Sequence, residues 1–341
     1  MVEMQICGYG CYVPRFRIKS ETIKDVWGHF AGKIAEKAVM GYDEDTCTMA
    51  VEASKNAIKN AGVGREEISA IGVGSSSPPY ALRSIAAEVA MAVGIPLDIR
   101  LLDFKESEKA GTSALLTLMD IVASKGGKGL VVGSDAPKSI ASDSIENTYG
   151  ASAAALVIGK DKGIAKIEGA TSATIEIIAD RFRKDGSTIV EDLGIPQYHQ
   201  IAYVNSVQQA VSELLKELGL KPEDFQYLFV QGHDSTEPSR VLRKIGFDKK
   251  VLTTKTIGVI GDSAAASVLT GLVGILEVAK PGDRILCASY GSGSGCDAFS
   301  VQVEKAQDVL EDVPLMTTYL DNKQYIDYNQ YLKFKELIDL E

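Results

Sequence analysis

The second half of this 341-residue chain resembles the first half, and this repetition limits the folds that are open to it. AGVGREEISAIGVGSS (61–76) shares a pattern with LGLKPEDFQYLFVQGH (218–233), which lies 157 residues later: a glycine, an acidic pair and then an apolar run. TSALLTLMDIVASKGGKGLVVGS (112–134) matches SVLTGLVGILEVAKPGDRILCAS (267–289) at an offset of 155 residues. Two independent matches at nearly the same offset are difficult to obtain by chance, so they predict a duplicated chain.

The duplication predicts an α/β fold in two similar halves, residues 1–165 and 166–341, with a pocket where the halves meet. Residues 45–62 have the pattern of an amphipathic helix that ends at a glycine. The part GLVVGSD (129–135) fits either a strand at an interface between subunits or a strand of the buried core. Short apolar runs that end in turn residues predict buried strands: ISAIGVGSS (68–76), KGLVVGSDA (128–136) and ALVIGKD (155–161).

Charge and apolar content argue against nucleic acids and membranes as partners. The chain has 36 Lys and Arg against 46 Asp and Glu, a net charge of −10, whereas both kinds of partner require a basic surface. RFRK (181–184), one of the longest basic clusters, is interpreted as a solvated face. The N-terminus has no basic stretch followed by an apolar one, and no apolar run approaches the length of a membrane span. We therefore expect a soluble protein of the cytoplasm.

The cysteines and histidines indicate neither disulfides nor a metal site. The five cysteines are an odd number and include no Cys-x-x-Cys pair, which argues against a disulfide framework and against a zinc site. The three histidines, His29, His199 and His233, are far apart in the sequence, which argues against a histidine-rich metal site. The expectation is a protein with reduced cysteines and with no metal or cofactor.

Two segments are suited to line a functional site. KESEKAGTSALL (105–116) has the small residues of a tightly packed helix start, and Glu108 stands directly before its KAGT (109–112). A helix start stabilises an anion, so a carboxylate can be held there. SYGSGSGCDAFSVQV (289–303) predicts a glycine-rich hairpin that lines a site, with a plain structural turn as the alternative. A nucleotide-binding loop is not favoured, because the alternating apolar residues after the glycines predict a strand and not a helix.

A family resemblance runs through nearly the whole chain. The chain resembles the thiolase-fold condensing enzymes, and in particular the short archaeal type of hydroxymethylglutaryl-CoA synthase. The resemblance implies a five-layer αβαβα fold with two pseudo-symmetric halves. The segments that carry it, in chain order, are GYGCYVPRFRIK (8–19), YDEDTCTMAVEA (42–53), GSSSPPYALRS (74–84), EKAGTSALL (108–116), GASAAALVIG (150–159), KPGDRILCASYGSGSGCDAF (280–299) and YLDNKQYIDYNQYLKFK (319–335).

The resemblance also implies site residues, and most of them differ from the family pattern. The family's acyl-forming cysteine falls on Glu108, its catalytic glutamate on Ser76, and the asparagine expected near GDSAAAS on Asp262. The family's histidine matches His233. The catalytic residues predicted in this way are Glu108, His233 and Asp262. The residues predicted to contact substrate or an oxyanion are Ser76, Ser263, Gly291, Gly293 and Gly295.

Two functions follow from this pattern. In the first, an acyl-CoA or acyl-carrier thioester binds in the pocket, and Glu108 with His233 performs acid–base chemistry that makes or cleaves a carbon–carbon bond. In the second, the protein is a non-catalytic subunit of an active condensing enzyme. The expected assembly is a homodimer, or a hetero-complex with a thiolase-like or zinc-ribbon and OB-fold partner. The structural alternatives are a helix-start carboxylate satisfied by backbone donors for Glu108 and a core histidine for His233.

Overall fold

The computed structural model describes residues 3–175, 180–234, 236–248, 255–306 and 310–338. The strands are β1 (Met4–Tyr12), β2 (Phe16–Lys19), β3 (Glu36–Val39), β4 (Ile68–Gly74), β5 (Arg100–Phe104), β6 (Lys128–Asp135), β7 (Ser152–Gly159), β8 (Ala165–Ala173), β9 (Tyr227–Val230), β10 (Arg284–Gly291), β11 (Gly295–Val303) and β12 (Gln324–Tyr325). The helices are α1 (Ser20–Trp27), α2 (Thr46–Ala61), α3 (Ile85–Val93), α4 (Ala110–Lys125), α5 (Ser144–Thr148), α6 (Pro196–Leu218), α7 (Glu237–Ile245), α8 (Lys255–Ile260), α9 (Ser267–Leu276), α10 (Met316–Asp321) and α11 (Tyr328–Phe334).

The order of the strands repeats, as the duplication predicts. Among the described residues, nine strands pair in the order β5-β4-β6-β7-β1-β8-β11-β10-β9. Read from β4, the first half gives β4-β6-β7-β1; read from β9, the second half gives β9-β10-β11-β8. In both halves the first pair is parallel and the next two pairs are antiparallel. Strands β4 and β9 therefore hold equivalent places, and the domain bounds 1–165 and 166–341 stay a prediction.

The helices complete a five-layer αβαβα arrangement. Helices α4 and α9 share one apolar core with strands of both halves, and this core contains Leu115, Leu118, Leu269 and Leu272. A second core joins α2 and α3 to the strands of the first half, and a third joins α6 and α7 to the strands of the second half. Helices α4 and α9 thus form the middle layer, which places the start of α4 at the junction of the halves.

Local signals set the ends of α2 as the sequence predicts. Asp45 Oδ1 accepts a hydrogen bond from Thr48 N at 2.7 Å, and Thr48 Oγ1 accepts one from Asp45 N at 2.8 Å. This reciprocal capping box satisfies backbone donors that a helix start leaves free. Gly62 ends the helix with φ of 63°, a conformation that glycine adopts without strain.

Strand β6 belongs to the core. It pairs with β4 on one side and β7 on the other, and all its residues are buried within the single chain. The alternative in which residues 129–135 form a subunit interface is therefore wrong, because the sheet and its helices already cover both faces. Among the described residues, no helix is both long enough and apolar enough to cross a membrane.

Candidate active site

Glu108 lies in the turn directly before α4, against the loop of the glycine-rich hairpin. Its side chain is buried, with 9% of the residue exposed, and its Oε2 accepts a hydrogen bond from Ser292 N at 2.9 Å. Strands β10 and β11 form the hairpin that the sequence predicts. A Cβ atom on Gly291 would lie 2.6 Å from Ser107 Oγ, so only glycine lets the loop approach this turn. One backbone donor of the loop is therefore already occupied by Glu108.

Asp297 fixes the start of α4 to the strands beneath it. Its carboxylate lies 3.1 Å from Lys109 Nζ and accepts hydrogen bonds from Thr112 Oγ1 at 2.8 Å and Ser172 Oγ at 2.7 Å. Lys109 and Thr112 belong to the start of α4, whereas Ser172 is on β8. This buried ion pair holds the turn of Glu108 in register with the hairpin.

His233 follows β9, and its ring contacts one acidic residue, Asp262, and one basic residue, Arg181. Its Nδ1 is 3.0 Å from Asp262 Oδ2 and 2.6 Å from Arg181 Nη1. Nδ1 can donate to Asp262 or accept from Arg181, but a single nitrogen cannot do both, so the two contacts belong to different tautomers. In the tautomer that donates to Asp262, the lone pair of the imidazole is on Nε2. That atom is buried, and none of the residues that the structure describes forms a hydrogen bond with it.

The two carboxyl groups of the predicted site have opposite pKa shifts. Burial raises the pKa of Glu108, and Arg181 and the backbone N–H of Ser292 offset this only in part. Burial would also raise the pKa of Asp262, but the hydrogen bond and charge of His233 outweigh it and hold the pKa below its ordinary value. Glu108 therefore keeps its proton to a higher pH than an ordinary glutamate does, whereas Asp262 stays ionised. Such a separation is typical of acid–base pairs.

Arg181 brings a positive charge to this site. Burial would lower the pKa of its guanidinium, but Tyr149, Glu108 and Asp262 outweigh burial and raise the pKa, so the group stays charged. The guanidinium carbon of Arg181, Cζ, lies 5.5 Å from the centre of the Tyr149 ring. The interpretation of RFRK as a solvated face is wrong for Arg181, which is partly buried, and correct for Arg183 and Lys184, which are exposed.

A second histidine, which the sequence did not indicate, completes the cluster. His199 is on α6, and the centres of the His199 and His233 rings are 4.8 Å apart. His199 Nδ1 lies 3.0 Å from Asp180 Oδ1, and its Nε2 lies 2.8 Å from Glu237 Oε1. Burial would lower the pKa of His199, but these two carboxylates raise it to about 9. The sequence argument against a metal site does not hold, because folding brings together two histidines that are far apart in the chain.

A pocket of about 290 Å³ opens beside this cluster. It is lined by residues that include Arg181, His233, Glu237, Gly32 and Arg240. A larger pocket of about 450 Å³ is lined by residues that include Lys138 and Lys335, and by none of the predicted site residues. Of these two pockets, the one at His233 is therefore the candidate substrate site.

The structure separates the predicted site residues into two groups. His233 and Asp262 are in contact, and Glu108 is close enough to Arg181 and His233 for their charges to affect its pKa. Gly291 lies against the turn of Glu108. Ser76 donates from N and Oγ to Asp135 Oδ2 at 2.8 and 2.7 Å, and Ser263 Oγ lies 2.6 Å from Ser152 Oγ in the interior. Gly293 and Gly295 have φ of 68° and 93°, which the turn of the hairpin requires. The predicted oxyanion roles of Ser76, Ser263, Gly293 and Gly295 stay predictions without support from these contacts.

Comparisons with known proteins agree with the fold. No family model matches the chain. It is 40% identical over 344 residues to the hydroxymethylglutaryl-CoA synthase of Methanopyrus kandleri, a match that covers 97% of each chain. The chain belongs to the hydroxymethylglutaryl-CoA synthase family.

Solved structures show the same fold as this hydroxymethylglutaryl-CoA synthase family member at lower identity. A hydroxymethylglutaryl-CoA synthase in complex with CoA superposes with a TM-score of 0.83 at 20% identity, over 97% of this chain and 90% of the other. The synthase of the curacin biosynthetic pathway, in complex with its holo donor acyl carrier protein, gives 0.85 at 17% identity, over 97% and 88%. The thiolase-like fold of the family is therefore present along nearly the whole chain.

Proposed function

We propose that this protein binds an acyl thioester of coenzyme A or of an acyl carrier protein and makes or cleaves a carbon–carbon bond next to the thioester carbonyl. The observation that carries the proposal is the contact of His233 with Asp262 beside an open pocket, with Glu108 close enough to Arg181 and His233 for their charges to affect its pKa, in a chain of the hydroxymethylglutaryl-CoA synthase family. Relatives solved with CoA and with a donor acyl carrier protein support a thioester as the ligand. A cytoplasmic location and a dimeric or hetero-complex assembly remain parts of the proposal.

The proposed chemistry is proton transfer. Glu108 takes the position of the family's cysteine, and a carboxylate does not form the stable thioester that a thiolate forms. When Asp262 accepts a hydrogen bond from His233 Nδ1–H, the Nε2 atom is unprotonated and can remove a proton from the carbon next to the thioester carbonyl. The negative charge then moves to the carbonyl oxygen, which protonated Glu108 can neutralise by donating its proton. The candidate reactions are direct acyl transfer without a covalent intermediate, and cleavage or decarboxylation of a β-carbonyl compound.

Arg240 is suited to hold the phosphates of the thioester carrier. It is exposed on α7 and lines the pocket at His233. A guanidinium binds phosphate with two parallel hydrogen bonds, and the carriers of both proposed thioesters contain phosphate. With its phosphates bound by Arg240, the carrier would lie toward the solvent and the reacting end of the thioester toward His233.

The second candidate function is a non-catalytic subunit that supports an active condensing enzyme. Glu108 favours it, because the carboxylate is buried and satisfied by the backbone of Ser292, as a structural residue would be. Such a subunit would have no turnover of its own and would raise the activity of a cysteine-bearing partner.

The test is consumption of acetyl-CoA, acetoacetyl-CoA, malonyl-CoA and hydroxymethylglutaryl-CoA, each alone and acetyl-CoA together with acetoacetyl-CoA, with products identified by mass. We expect turnover of at least one thioester, and Arg240→Ala should raise KM about tenfold with little change in kcat, the scale of one lost charge-assisted hydrogen bond. Arg243→Ala is the matched control, since Arg243 is exposed on the same helix outside the pocket. Absence of turnover, together with activation of a copurifying condensing enzyme, would instead establish the subunit function.

A further inference from the structure

We propose that His199, His233 and Glu237 bind a divalent transition metal ion, with zinc as the best-matched ion. These residues are a 2-His-1-carboxylate set that neither the family resemblance nor the proposed acid–base chemistry uses as a unit. One ligand atom from each lies within 4.8 Å of the others. We call this set the His₂Glu cluster.

The distances within the His₂Glu cluster suit a metal after small side-chain shifts. His199 Nε2 is 2.8 Å from Glu237 Oε1, and His233 Nε2 is 4.0 Å from Glu237 Oε2. Tetrahedral zinc, with bonds of about 2.0–2.2 Å, places neighbouring ligand atoms about 3.4 Å apart, which lies between these two values. The separation of 2.8 Å must increase and the separation of 4.0 Å must decrease, each by less than the length of a bond.

The orientation of the two rings is the strongest argument for a metal. Each histidine directs Nε2 toward Glu237, while its Nδ1 faces a different carboxylate: Asp180 for His199 and Asp262 for His233. Histidines that bind metals are held in this manner, with the non-binding nitrogen donating to a carboxylate that sets the tautomer. Asp180 is itself held by a hydrogen bond from Tyr290 Oη. A histidine kept only for packing needs no such carboxylate on each ring.

His233 Nε2 and the local charge give independent support. This nitrogen is buried and has no hydrogen-bond partner among the described residues, which is costly unless a ligand completes it. Around the two rings stand the carboxylates of Asp180, Glu237 and Asp262 and the guanidinium of Arg181, which together carry two net negative charges. A divalent cation would replace the proton that His199 holds in the metal-free protein and would balance these two charges.

The His₂Glu cluster leaves one position of a tetrahedral metal free. His233 and Glu237 line the pocket of about 290 Å³, so the free position faces that pocket. Two histidines, one glutamate and an open position is a ligand set of catalytic zinc, which polarises a carbonyl oxygen. A bound metal would occupy His233 Nε2, so in metal-loaded protein this atom would be a ligand and not the base of the proposed proton transfer. A role of the metal toward a thioester rests on the thioester site of the proposed function, whereas metal binding itself does not.

The experiment loads chelator-treated protein with zinc, removes unbound ion by desalting and measures metal per chain. Wild type should hold about one zinc ion per chain, and His199→Gln and Glu237→Gln should fall to background. Asp180→Asn should weaken zinc binding by about 10–100-fold in competition with a chelating dye, as is usual for the carboxylate behind a metal-bound histidine. His29→Gln is the control, because His29 is exposed and contacts the Trp27 carbonyl oxygen. Circular dichroism establishes that each variant is folded.

Cobalt loading identifies the ligands even if a zinc variant fails to fold. Cobalt bound by nitrogen and oxygen should give visible bands without the sulfur charge-transfer band of a thiolate. Wild-type protein that binds no zinc, variants that bind as wild type does, or a sulfur band would each overturn the proposal. Zinc binding, with no thioester turnover by either the zinc-free or the zinc-loaded protein, would contradict only the proposed function, whereas turnover by zinc-free protein that cannot be loaded would contradict only the metal site.

Discussion

Replacement of Glu108 by glutamine is expected to lower the turnover of a thioester about 100-fold or more, the usual scale for the loss of an acid–base group. Glutamine keeps the shape of the side chain and can still accept from Ser292 N, but it cannot donate the proton that the proposed mechanism requires of Glu108. The measurement is the initial rate of thioester consumption at saturating substrate. Glu106→Gln is the matched control, because Glu106 is exposed two residues earlier in the same segment.

The same variant separates the two candidate functions. In an enzyme, kcat should fall with little change in KM, because the lost interaction forms only in the transition state. In a supporting subunit, Glu108→Gln should leave the activity of the reconstituted complex nearly intact. A Glu108→Gln protein with wild-type kcat in isolation would contradict the catalytic role of Glu108.

Replacement of Glu146 by alanine is expected to destabilise the fold by about 3–5 kcal/mol, the typical cost of breaking a buried ion pair by removing one partner. Glu146 Oε1 lies 3.2 Å from Lys37 Nζ and 2.8 Å from Lys335 Nζ, and it accepts a hydrogen bond from Tyr331 Oη. Both lysines are buried, so alanine would leave two buried amines without their carboxylate. Since Tyr331 is on the C-terminal helix α11, the loss should also release that helix, seen as lower protection from hydrogen exchange.

Lys37→Met is the comparison for Glu146→Ala, because it leaves the contact between Glu146 and Lys335 in place. Lys37→Met should lower the free energy of unfolding by less than Glu146→Ala does, and it should also change the pH dependence of that free energy. Burial lowers the pKa of Lys37 to about 7, against partial opposition from Glu146, whereas in the unfolded chain the amine stays charged until near its ordinary value of 10.5. Unfolding therefore takes up a proton in this interval, and this group makes wild type more stable as the pH rises.

Urea unfolding of wild type and Lys37→Met between about pH 7 and pH 9.5 measures this effect. The free energy of unfolding of wild type should rise more steeply with pH than that of the variant. Equal slopes, or a Glu146→Ala protein as stable as wild type, would contradict the assignment of this cluster as a buried ionic anchor.

The features predicted well from sequence depend on local patterns that repeat or end sharply. The matched segments at 61–76 and 218–233 place β4 and β9 in equivalent positions, because a duplicated sequence repeats its strand order. Asp45 and Gly62 bound α2 as their residue types require. The alternating apolar residues after Gly295 correctly predict β11, and hence a hairpin at the site.

The features that the sequence did not reveal depend on how distant segments meet. Arg181 appears as part of a short basic run, and nothing in that run shows that one of its four residues turns toward His233. His199 lies in the first turn of the long helix α6, 34 residues before His233, so only folding brings their rings together. The one available local signal was Glu237, four residues after His233, a spacing that allows both side chains to face one point. Ser263 was placed by its neighbours in sequence, but its hydroxyl faces Ser152 in the interior.

The most direct test of a thioester site at the start of α4 is the intact mass of Glu108→Cys protein after incubation with acetyl-CoA. The family resemblance implies that cysteine at this position would supply the nucleophile, next to Ser292 N and within reach of the charge of Arg181, and a nearby positive charge and a helix start favour a thiolate. We expect the variant to gain the mass of one acetyl group, while wild type and a Glu106→Cys control gain none. A folded Glu108→Cys protein that binds CoA and gains no mass would contradict a thioester site at this turn.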